Sequence, residues 1–331
     1  MSKKTKIKIK KKKTVLLIDV DSTIPNIPLM KLSAYHKSKK HGVKLLKLGI
    51  PYYPNRKKKF YTIPSKWDII YASVIFEGNA KYVKGENIIF GGTGWDLKTN
   101  LPEEIDILDP DYSIYPDNDT SYGFISRGCI RNCYFCKVPK KEGKIKQVSC
   151  VDNLIKHKKI KFLDNNFLAL HNHKDILREL RDKKIKHCFN QGLDIRLLDR
   201  ENSKLLSELN YWGEYVFAFD DIRYLSLIKE KLKFLDWRKD WRIKMFVYVS
   251  PNMKIKDTRR RIIYLRRHKI LPYIMRDISC WDSNLNNFFT DIASWCNQPN
   301  IFKKMDFKEF LNKRHKNKER INKSFELWEA K

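Results

Sequence analysis

The residues most able to do chemistry are three cysteines near the middle of the chain, Cys129, Cys133 and Cys136. Their C-x3-C-x2-C spacing gathers three thiols within eight residues, and thiolates are the usual protein ligands of iron–sulfur clusters. Three ligands can hold three corners of a cubane cluster, and no fourth cysteine follows at close spacing. One iron would therefore stay open to a substrate or cofactor, as the metal does in catalytic sites. The flanking cations that would stabilise thiolates are Arg127, Arg131 and Lys137.

A structural zinc ion is the alternative for the same thiols, with Cys150 or a histidine as its fourth ligand. Structural zinc usually joins two paired knuckles of ligands, and the second pair is missing from this sequence. The remaining cysteines are scattered, so we expect each to be a buried, inert thiol. They are Cys150, Cys188, Cys280 and Cys296.

Two other motifs carry little weight. His171 and His173 flank Asn172, but without a surrounding ββα pattern they do not indicate a nuclease metal site. We expect Asn172 instead to cap a helix that begins at Lys174. The glycines at positions 91–94 are not followed by Gly-Lys-Ser/Thr, so they do not indicate a nucleotide-binding loop of that type.

The elements that must position the cysteines repeat along the second half of the chain. Candidate strands are separated by 38, 27, 28, 29 and 27 residues, with helical patterns between them. This near-constant period is typical of right-handed βα units and predicts a partial (β/α)6 barrel over residues 116–300. The longer first gap is an insertion after the first strand, and it contains the three cysteines. The strands begin near Tyr122, Ile160, His187, Tyr215, Lys244 and Leu271, and the clearest helices run from Lys174 to Lys183, Asn202 to Leu209 and Asp257 to His268.

A shorter set of strands precedes this repeat and predicts a small parallel α/β domain over residues 14–115. A helix from Asn26 to His41, closed by Gly42, follows the first strand. The stretch from Leu101 to Asp119 holds three prolines and seven acidic residues, and we interpret it as a linker. The strands are Val15 to Ile18, Val43 to Leu48, Trp67 to Phe76 and Asn87 to Phe90.

Composition bounds the remaining choices. The 331 residues carry 69 Lys and Arg against 38 Asp and Glu, a formal charge of +31 that would attract nucleic acid or another acidic partner. Only 18 of the 69 are Arg, a skew that AT-rich codons would produce, so charge alone does not establish nucleic-acid binding. No apolar run is long enough for a membrane span or a signal peptide, and the cysteine count is odd, so we expect a cytoplasmic protein without disulfides.

The two ends of the chain are basic. Eight lysines occur in residues 1–13, which we expect to be a disordered arm. Residues 301–331 predict a basic helical tail, in which Phe307, Phe310 and Leu311 fall on one face and pack on the barrel.

The cysteine loop resembles the radical S-adenosylmethionine superfamily, whose motif is C-x3-C-x-aromatic-C, with Phe135 as the aromatic residue. The preceding domain resembles the Rossmann-type cobalamin-binding domain of one large branch, so that the resemblance covers roughly residues 14–300. It implies a [4Fe–4S] cluster on the three cysteines, with S-adenosylmethionine chelated at the open iron. One electron then cleaves the sulfonium, and a 5′-deoxyadenosyl radical removes hydrogen from a substrate that the sequence does not name.

The resemblance also assigns residues to S-adenosylmethionine: Phe135 in the cysteine loop, and polar residues at strand ends. Asn165 and Asn166 follow the second strand, where the superfamily usually has a Gly-Gly-Glu-like segment that contacts the methionine amine. Gln191 and Arg196 follow the third and are candidates for the ribose hydroxyls and the methionine carboxylate. Asp220 follows the fourth and is a candidate for the ribose or the substrate. Helix capping is the alternative for each of these polar residues.

Three functions remain open at this stage. A radical S-adenosylmethionine enzyme, served by a flavodoxin- or ferredoxin-like electron donor, is favoured. A non-catalytic, metal-stapled nucleic-acid-binding protein and a cobalamin-dependent methyltransferase are the alternatives. Many cobalamin domains carry Asp-x-His-x-x-Gly after the first strand, but here Asp21 stands at the histidine position. Cobalamin is therefore not favoured, although a turn at Gly91 and Gly92 could accept a phosphate.

Overall fold

The structure is a computed structural model that describes residues 12–52 and 56–330. The chain divides between Asn118 and Asp119 into two compact units, unit 1 and unit 2. The predicted basic arm lies outside the described residues as far as residue 11.

Unit 1 is built on a four-stranded parallel sheet. Its elements are β1 (Thr14–Asp19), α1 (Ile27–Ser38), β2 (Gly42–Lys47), β3 (Tyr61–Thr62), β4 (Ile69–Ser73), β5 (Val83–Lys84), β6 (Ile88–Gly91) and α2 (Glu103–Asp106). The sheet order is β2-β1-β4-β6, and β3 and β5 form a separate short parallel pair. All four predicted strands are present. The pair β3 and β5 was not predicted, because two-residue strands leave no periodic signal.

The first strand and helix show where the sequence pattern is decisive and where it is not. The side chains of β1 are buried on both faces of the sheet, which explains its unbroken apolar run. Asn26 caps α1 by accepting from the Leu29 N–H. The helix ends at Ser38 rather than at His41, because the chain turns at Lys40, which has a positive φ. We predicted that Gly42 closes this helix, but it is the first residue of β2.

The segment predicted as a linker is part of unit 1. Ile105 on α2 is buried among the side chains of β1 and α1. Ser33 donates a 2.6 Å hydrogen bond to Asp111, and the Tyr115 hydroxyl donates one of 2.8 Å to Asp19. The composition suggested a linker, but Ile105, Asp111 and Tyr115 tie the segment to β1 and α1.

Unit 2 alternates strands and helices. Its strands are β7 (Ser121–Gly123), β8 (Ser126–Arg127), β9 (Lys146–Gln147), β10 (Lys159–Phe162), β11 (Lys186–Phe189), β12 (Tyr215–Ala218), β13 (Ile243–Val249) and β14 (Leu271–Arg276). Its helices are α3 (Val138–Lys141), α4 (Val151–Leu154), α5 (His173–Asp182), α6 (Arg200–Ser207), α7 (Leu225–Leu232), α8 (Ile255–Arg267), α9 (Asn286–Cys296), α10 (Pro299–Lys304), α11 (Phe307–Arg314) and α12 (Lys318–Glu329).

Six of these strands form two parallel sheets in chain order. The orders are β7-β10-β11 and β12-β13-β14, and single bridges pair His187 with Tyr211 and Leu193 with Phe217. Each of the six begins within one residue of its predicted start. Because parallel strands end on the same side of a sheet, the loops that carry the candidate residues leave from the same edge.

The C-terminal tail packs through the residues that its spacing indicated. Phe307, Phe310 and Leu311 are buried in the core of unit 2. The tail is three helices rather than one, because Asp306 forms a capping box that starts α11 anew. A fully buried carboxylate on α9, Asp291, accepts hydrogen bonds from His315, Arg320 and Ser324 and fastens α12 to α9.

Candidate functional site

The cysteine loop leaves β7 through a short paired strand and a glycine that no other residue could replace without distortion. Gly128 has a φ of +89°, and a Cβ on it would lie 2.3 Å from the carbonyl oxygen of Lys144. The turn therefore needs glycine both for its dihedral angle and for the close approach of two backbone segments. It brings Cys129 back beneath residues 143–144, where its N–H donates to the Gly143 carbonyl.

Two residues at the end of β10 anchor the start of this loop. Asp164 accepts hydrogen bonds from the Ser126 N–H at 2.5 Å, the Ser126 hydroxyl at 2.6 Å and the Ile125 N–H at 3.2 Å. Burial raises the pKa of Asp164 to about 6, although these donors oppose the rise. The neighbouring Asn165 accepts from the Gly128 N–H at 3.0 Å. Asn165 thus positions the loop, and its side-chain oxygen is already engaged.

The three thiols are partly buried and close enough to influence one another. Cys129 Sγ accepts hydrogen bonds from the Arg131 N–H and from Asn166 Nδ2, both at 3.3 Å. Burial raises the pKa of Cys133; the Arg196 charge opposes that rise, and Cys136 and Cys129 add to it. Within the described residues, no three or more His, Cys, Asp or Glu side chains are arranged to hold a metal ion.

Asn166 is the most informative polar residue beside these thiols. It is only 3% exposed, and its Nδ2 lies 3.3 Å from Cys129 Sγ and 3.4 Å from Asp194 Oδ2. Its Oδ1 is buried and has no hydrogen-bond partner within the described chain. Buried carbonyl oxygens in native proteins nearly always have a donor. A ligand that brings an N–H or an ammonium group to this position fits Asn166.

Asp194 organises the cations of the site and was not singled out by the sequence. Its carboxylate accepts from Arg131 Nε at 3.0 Å and from Arg196 Nε and Nη2 at 2.6 and 3.0 Å. Burial acts to raise the pKa of Asp194, but the bonds and charges of Arg196 and Arg131 outweigh it and hold the pKa below its usual value. We predicted that the guanidinium group of Arg196 binds the methionine carboxylate, but two of its nitrogens already donate to the carboxylate of Asp194.

The last two predicted contacts differ in their surroundings. Gln191 is exposed on the loop after β11. Asp220, after β12, accepts a 3.0 Å hydrogen bond from the Tyr248 N–H. Burial raises the pKa of Asp220, while the Tyr248 bond and the nearby charges of Arg261 and Arg196 act to lower it.

Arg261 is a second residue that the sequence did not single out. It lies on α8 and is fully buried, and its Nη1 donates to the carbonyl oxygens of Phe219, Asp220 and Tyr248 at 2.8–3.0 Å. Burial lowers the pKa of Arg261 to about 10. The guanidinium joins the ends of β12 and β13, and it thereby fixes the backbone that carries Asp220.

Phe135 docks the cysteine loop onto the end of β13. Its ring stacks on Tyr248 with centroids 4.0 Å apart and an interplanar angle of 14°. The Tyr248 hydroxyl donates to Asp277 at 2.7 Å, which fixes the ring beneath Phe135. Tyr248 belongs to no recognisable sequence motif, because its role depends on contact with Phe135, which lies more than a hundred residues earlier in the chain.

The four cysteines outside the motif and Asn172 are the remaining residues for which the sequence made a prediction. Cys188, Cys280 and Cys296 are buried as predicted, but Cys150 is exposed at the start of α4, so that prediction was wrong. Asn172 occupies the cap position of α5, but its side chain does not cap the helix and instead donates to Gln147.

Unit 1 has a polar cluster at the carboxyl ends of β1 and β4, where its strand order reverses. Asp21 is 4% exposed and accepts from the Ile75 and Phe76 N–H groups at 2.8 and 3.0 Å and from Asn79 Nδ2 at 2.9 Å. In open parallel sheets, ligands bind in the crevice at such a reversal. Here the buried side chain of Asp21 lies at that place and binds the loop after β4.

The glycine turn after β6 is explained by packing. Gly92 has a φ of +97°, and a Cβ there would lie 2.3 Å from the Val74 carbonyl oxygen. A Cβ on Gly94 would lie 2.6–2.7 Å from the backbone of Phe76. These glycines let the turn lie directly against the loop after β4.

The described features define a mixed α/β protein with parallel sheets, in which a three-thiol loop meets polar residues at strand ends. No family model matches the sequence, and neither does any curated protein. Among solved structures, the chain is similar to the cobalamin-dependent S-adenosylmethionine radical enzyme OxsB, determined with aqua-cobalamin and S-adenosylmethionine bound. The TM-score is 0.51 at 13% identity, over 91% of this chain and 57% of that chain. At this identity the likeness is one of fold, and the chain spans little more than half the length of OxsB. No helix in the described ranges is long and apolar enough to cross a membrane.

Proposed function

We propose that this protein is a radical S-adenosylmethionine enzyme. In this proposal the parallel strands of unit 2 form a partial (β/α)6 barrel that carries the active site. The observation that carries the proposal is the pairing of Cys129 Sγ with Asn166, whose second polar atom is buried without a donor among the described residues. The fold shared with OxsB supports it. When bound, a [4Fe–4S] cluster would supply the electron that cleaves S-adenosylmethionine to methionine and a 5′-deoxyadenosyl radical.

Cys129, Cys133 and Cys136 would hold that cluster. A cubane binds each thiolate through a different iron, so its ligands need not converge on one point. The cationic surroundings suit an anionic cluster, because the charge of Arg196 acts on Cys133 and opposes the rise in pKa that burial causes. Arg131 adds a backbone N–H to Cys129 Sγ.

The polar residues would then bind and orient S-adenosylmethionine. Asn166 Oδ1 would accept from the methionine ammonium group, since it is the buried acceptor beside the thiols. Asp220, held by the Tyr248 N–H, would accept from ribose hydroxyls. Gln191 is exposed on the neighbouring loop, where it could reach the same sugar. Arg196 would contribute only its positive charge to the site, because its Nε and Nη2 already donate to Asp194.

The test is anaerobic reconstitution with iron and sulfide, followed by S-adenosylmethionine and dithionite. We expect a brown protein with about four irons per chain, and formation of 5′-deoxyadenosine and methionine. A protein that takes up one zinc ion, forms no iron–sulfur chromophore and leaves S-adenosylmethionine intact would overturn the proposal.

An acidic flavodoxin- or ferredoxin-like protein is the electron donor that we propose, in the cytoplasm where such donors work. The chain's charge of +31 would attract it. Replacing dithionite with a reduced flavodoxin should sustain 5′-deoxyadenosine formation, with a rate that falls as salt increases.

We further propose that unit 1 serves as a scaffold and does not hold cobalamin, in contrast to OxsB, whose structure contains it. Asp21 stands where a cobalt-binding histidine would lie, and its carboxylate is engaged by three donors in the crevice. These residues do not fit a cobalt ligand. Titration with hydroxocobalamin should leave its visible spectrum unchanged, and tight stoichiometric uptake would show that unit 1 is a cobalamin-binding domain.

A further inference from the structure

The outer part of the cysteine loop is strongly cationic and carries an exposed aromatic ring. Residues 127–148 contain seven Lys and Arg but one acidic residue, Glu142. Glu142 pairs with Arg127, and Asp194 pairs with Arg131, so both arginines are engaged. Three exposed lysines have no ion pair among the described residues, and together with Tyr134 we call them the loop collar. They are Lys140, Lys144 and Lys146.

Tyr134 is held so that its ring faces solvent. It is 78% exposed, although tyrosine usually buries much of its ring. Phe135 and Tyr248 meet it at interplanar angles of 87° and 84°, with centroids 5.2 and 5.9 Å away. Such perpendicular contacts fix an aromatic ring without stacking on its face. The ring is therefore a platform on which another flat group can stack.

Proteins that bind single-stranded nucleic acid combine exposed aromatic rings with positively charged groups, and the loop collar presents both on one loop. The bases stack on the ring, and the lysines neutralise phosphates as point charges. An acidic protein is the competing partner. Protein interfaces are depleted in lysine and have an apolar core, however, and the loop's other exposed apolar residues are only Ile130 and Val148 among the described residues. The composition of the loop collar favours nucleic acid.

We propose that the loop collar binds a single-stranded or looped nucleic acid, which is the substrate class of this enzyme. The proposal rests on the proposed function, because the same loop carries the cluster cysteines. Lysines of the loop collar would hold phosphates while Tyr134 stacks a base. The adjacent nucleotide would then lie beside Cys133 and Cys136, at the strand edge where Asp220 is fixed.

The test measures binding of fluorescein-labelled 12-nucleotide RNA and DNA of one sequence by anisotropy, over a range of salt concentrations. Three variants of the full chain are compared with the wild type. The first is K140Q/K144Q/K146Q, the second is Tyr134→Ala, and the third is the matched control K313Q/K316Q/K318Q, whose lysines are exposed on the C-terminal tail.

We expect the loop triple variant to bind at least tenfold more weakly, and its salt slope to shrink by about 2, as loss of three phosphate contacts requires. Tyr134→Ala should weaken binding about fivefold or more with its slope unchanged, because stacking involves no counterions. The control should stay within about twofold of the wild type. A preference between RNA and DNA would then show which of the two the loop collar binds.

Two results would overturn the proposal. An equal loss in the control would show that the oligonucleotide senses only the overall charge. Unchanged binding in the loop triple variant, with slower reduction by flavodoxin, would make the loop collar the docking face of the electron donor. Dithionite-driven formation of 5′-deoxyadenosine without nucleic acid tests the proposed function independently, and it should be unaffected by the loop triple variant.

Discussion

At the scale of single residues, an amide at position 166 can do what a carboxylate cannot. Asn166 donates to Cys129 Sγ through Nδ2 and presents Oδ1 as an acceptor. A carboxylate has only acceptors, and here it would lie next to Asp194 as a second negative charge. Under the proposed function, this is how an asparagine would contact the methionine amine where the radical S-adenosylmethionine superfamily usually has a Gly-Gly-Glu-like segment.

Replacing Asn166 should therefore weaken the binding of S-adenosylmethionine more than it lowers the stability of the fold. We expect Asn166→Leu in the reconstituted protein to bind S-adenosylmethionine at least tenfold more weakly, which corresponds to about 1.4 kcal/mol for one lost buried hydrogen bond. Isothermal titration calorimetry measures the change. Asn172→Leu is the matched control, because Asn172 Oδ1 is also buried without a partner in the described chain but lies away from the thiols. Equal losses in both variants would contradict the assignment.

The cysteines give an all-or-none prediction at the same scale. Changing Cys129, Cys133 or Cys136 to Ala should abolish the iron–sulfur chromophore, because each removes one of only three protein ligands. The exposed Cys150 is the control, and Cys150→Ala should keep the full absorbance of the chromophore and the wild-type iron content. Full absorbance in Cys133→Ala would refute the ligand assignment.

At the scale of elements, the path of the cysteine loop depends on one glycine. Gly128→Ala adds a Cβ that meets the backbone carbonyl of Lys144 and also strains a positive φ, so we expect a loss of roughly 4 kcal/mol and no cluster assembly. Gly143→Ala is matched to it, since its φ of +72° is also positive but its Cβ would meet nothing within 4 Å. It should cost only about 1–2 kcal/mol and keep the cluster. Thermal unfolding and iron content measure both effects, and similar behaviour of the two variants would contradict this account.

The ends of β12 and β13 depend on Arg261 in a similar way. Arg261→Met leaves two buried carbonyl oxygens and a partly buried one without this donor, and it should lower the free energy of unfolding by about 3–5 kcal/mol. Its neighbour Arg260 is 62% exposed and 3.7 Å from Asp257, so Arg260→Met should change stability by less than about 0.5 kcal/mol. Urea denaturation distinguishes them. A stable Arg261→Met protein would show that other groups hold these strand ends.

Strands and helices of unit 2 could be predicted because each buries an apolar pattern that repeats along the chain. Element ends were less certain, since α1 stops where Lys40 turns and α11 starts again at a capping box. Asp194 and Arg261 were missed for a different reason. Their roles come from contacts between segments that are far apart in the sequence, and local residue spacing does not reveal such contacts.

At the scale of the whole molecule, each unit has its own buried core, and unit 1 contains a buried histidine that responds to pH. Burial first, and then the charges of His41, Lys13 and Lys39, lower the pKa of His36 to about 4. The unfolded chain would take up that proton near pH 6.5, so it binds more protons than the folded chain between about pH 6.5 and 4. Stability from this group is complete above pH 6.5 and is lost as the pH falls through that window.

We therefore expect the melting temperature of unit 1 to fall between pH 6.5 and 4 in the wild type, and to fall less in His36→Gln. Differential scanning calorimetry of both proteins at half-unit steps measures the difference. Gln replaces an imidazole that bonds His41 and Tyr71, so the variant will start lower, but its slope is the informative quantity. Parallel slopes would contradict the assignment.

The buried carboxylate of Asp21 has a consequence for how the loop after β4 exchanges hydrogen with solvent. The Ile75 and Phe76 amides belong to a connection between strands, yet both donate to the buried carboxylate of Asp21. Exchange at these amides would require the carboxylate to release them, so deuterium uptake there should be much slower than in ordinary loops. Asp21→Ala should speed up exchange at both positions and leave the amides of β1 protected. Rapid uptake in the wild type would mean that this end of the sheet opens in solution, and that a ligand could enter where the side chain now lies.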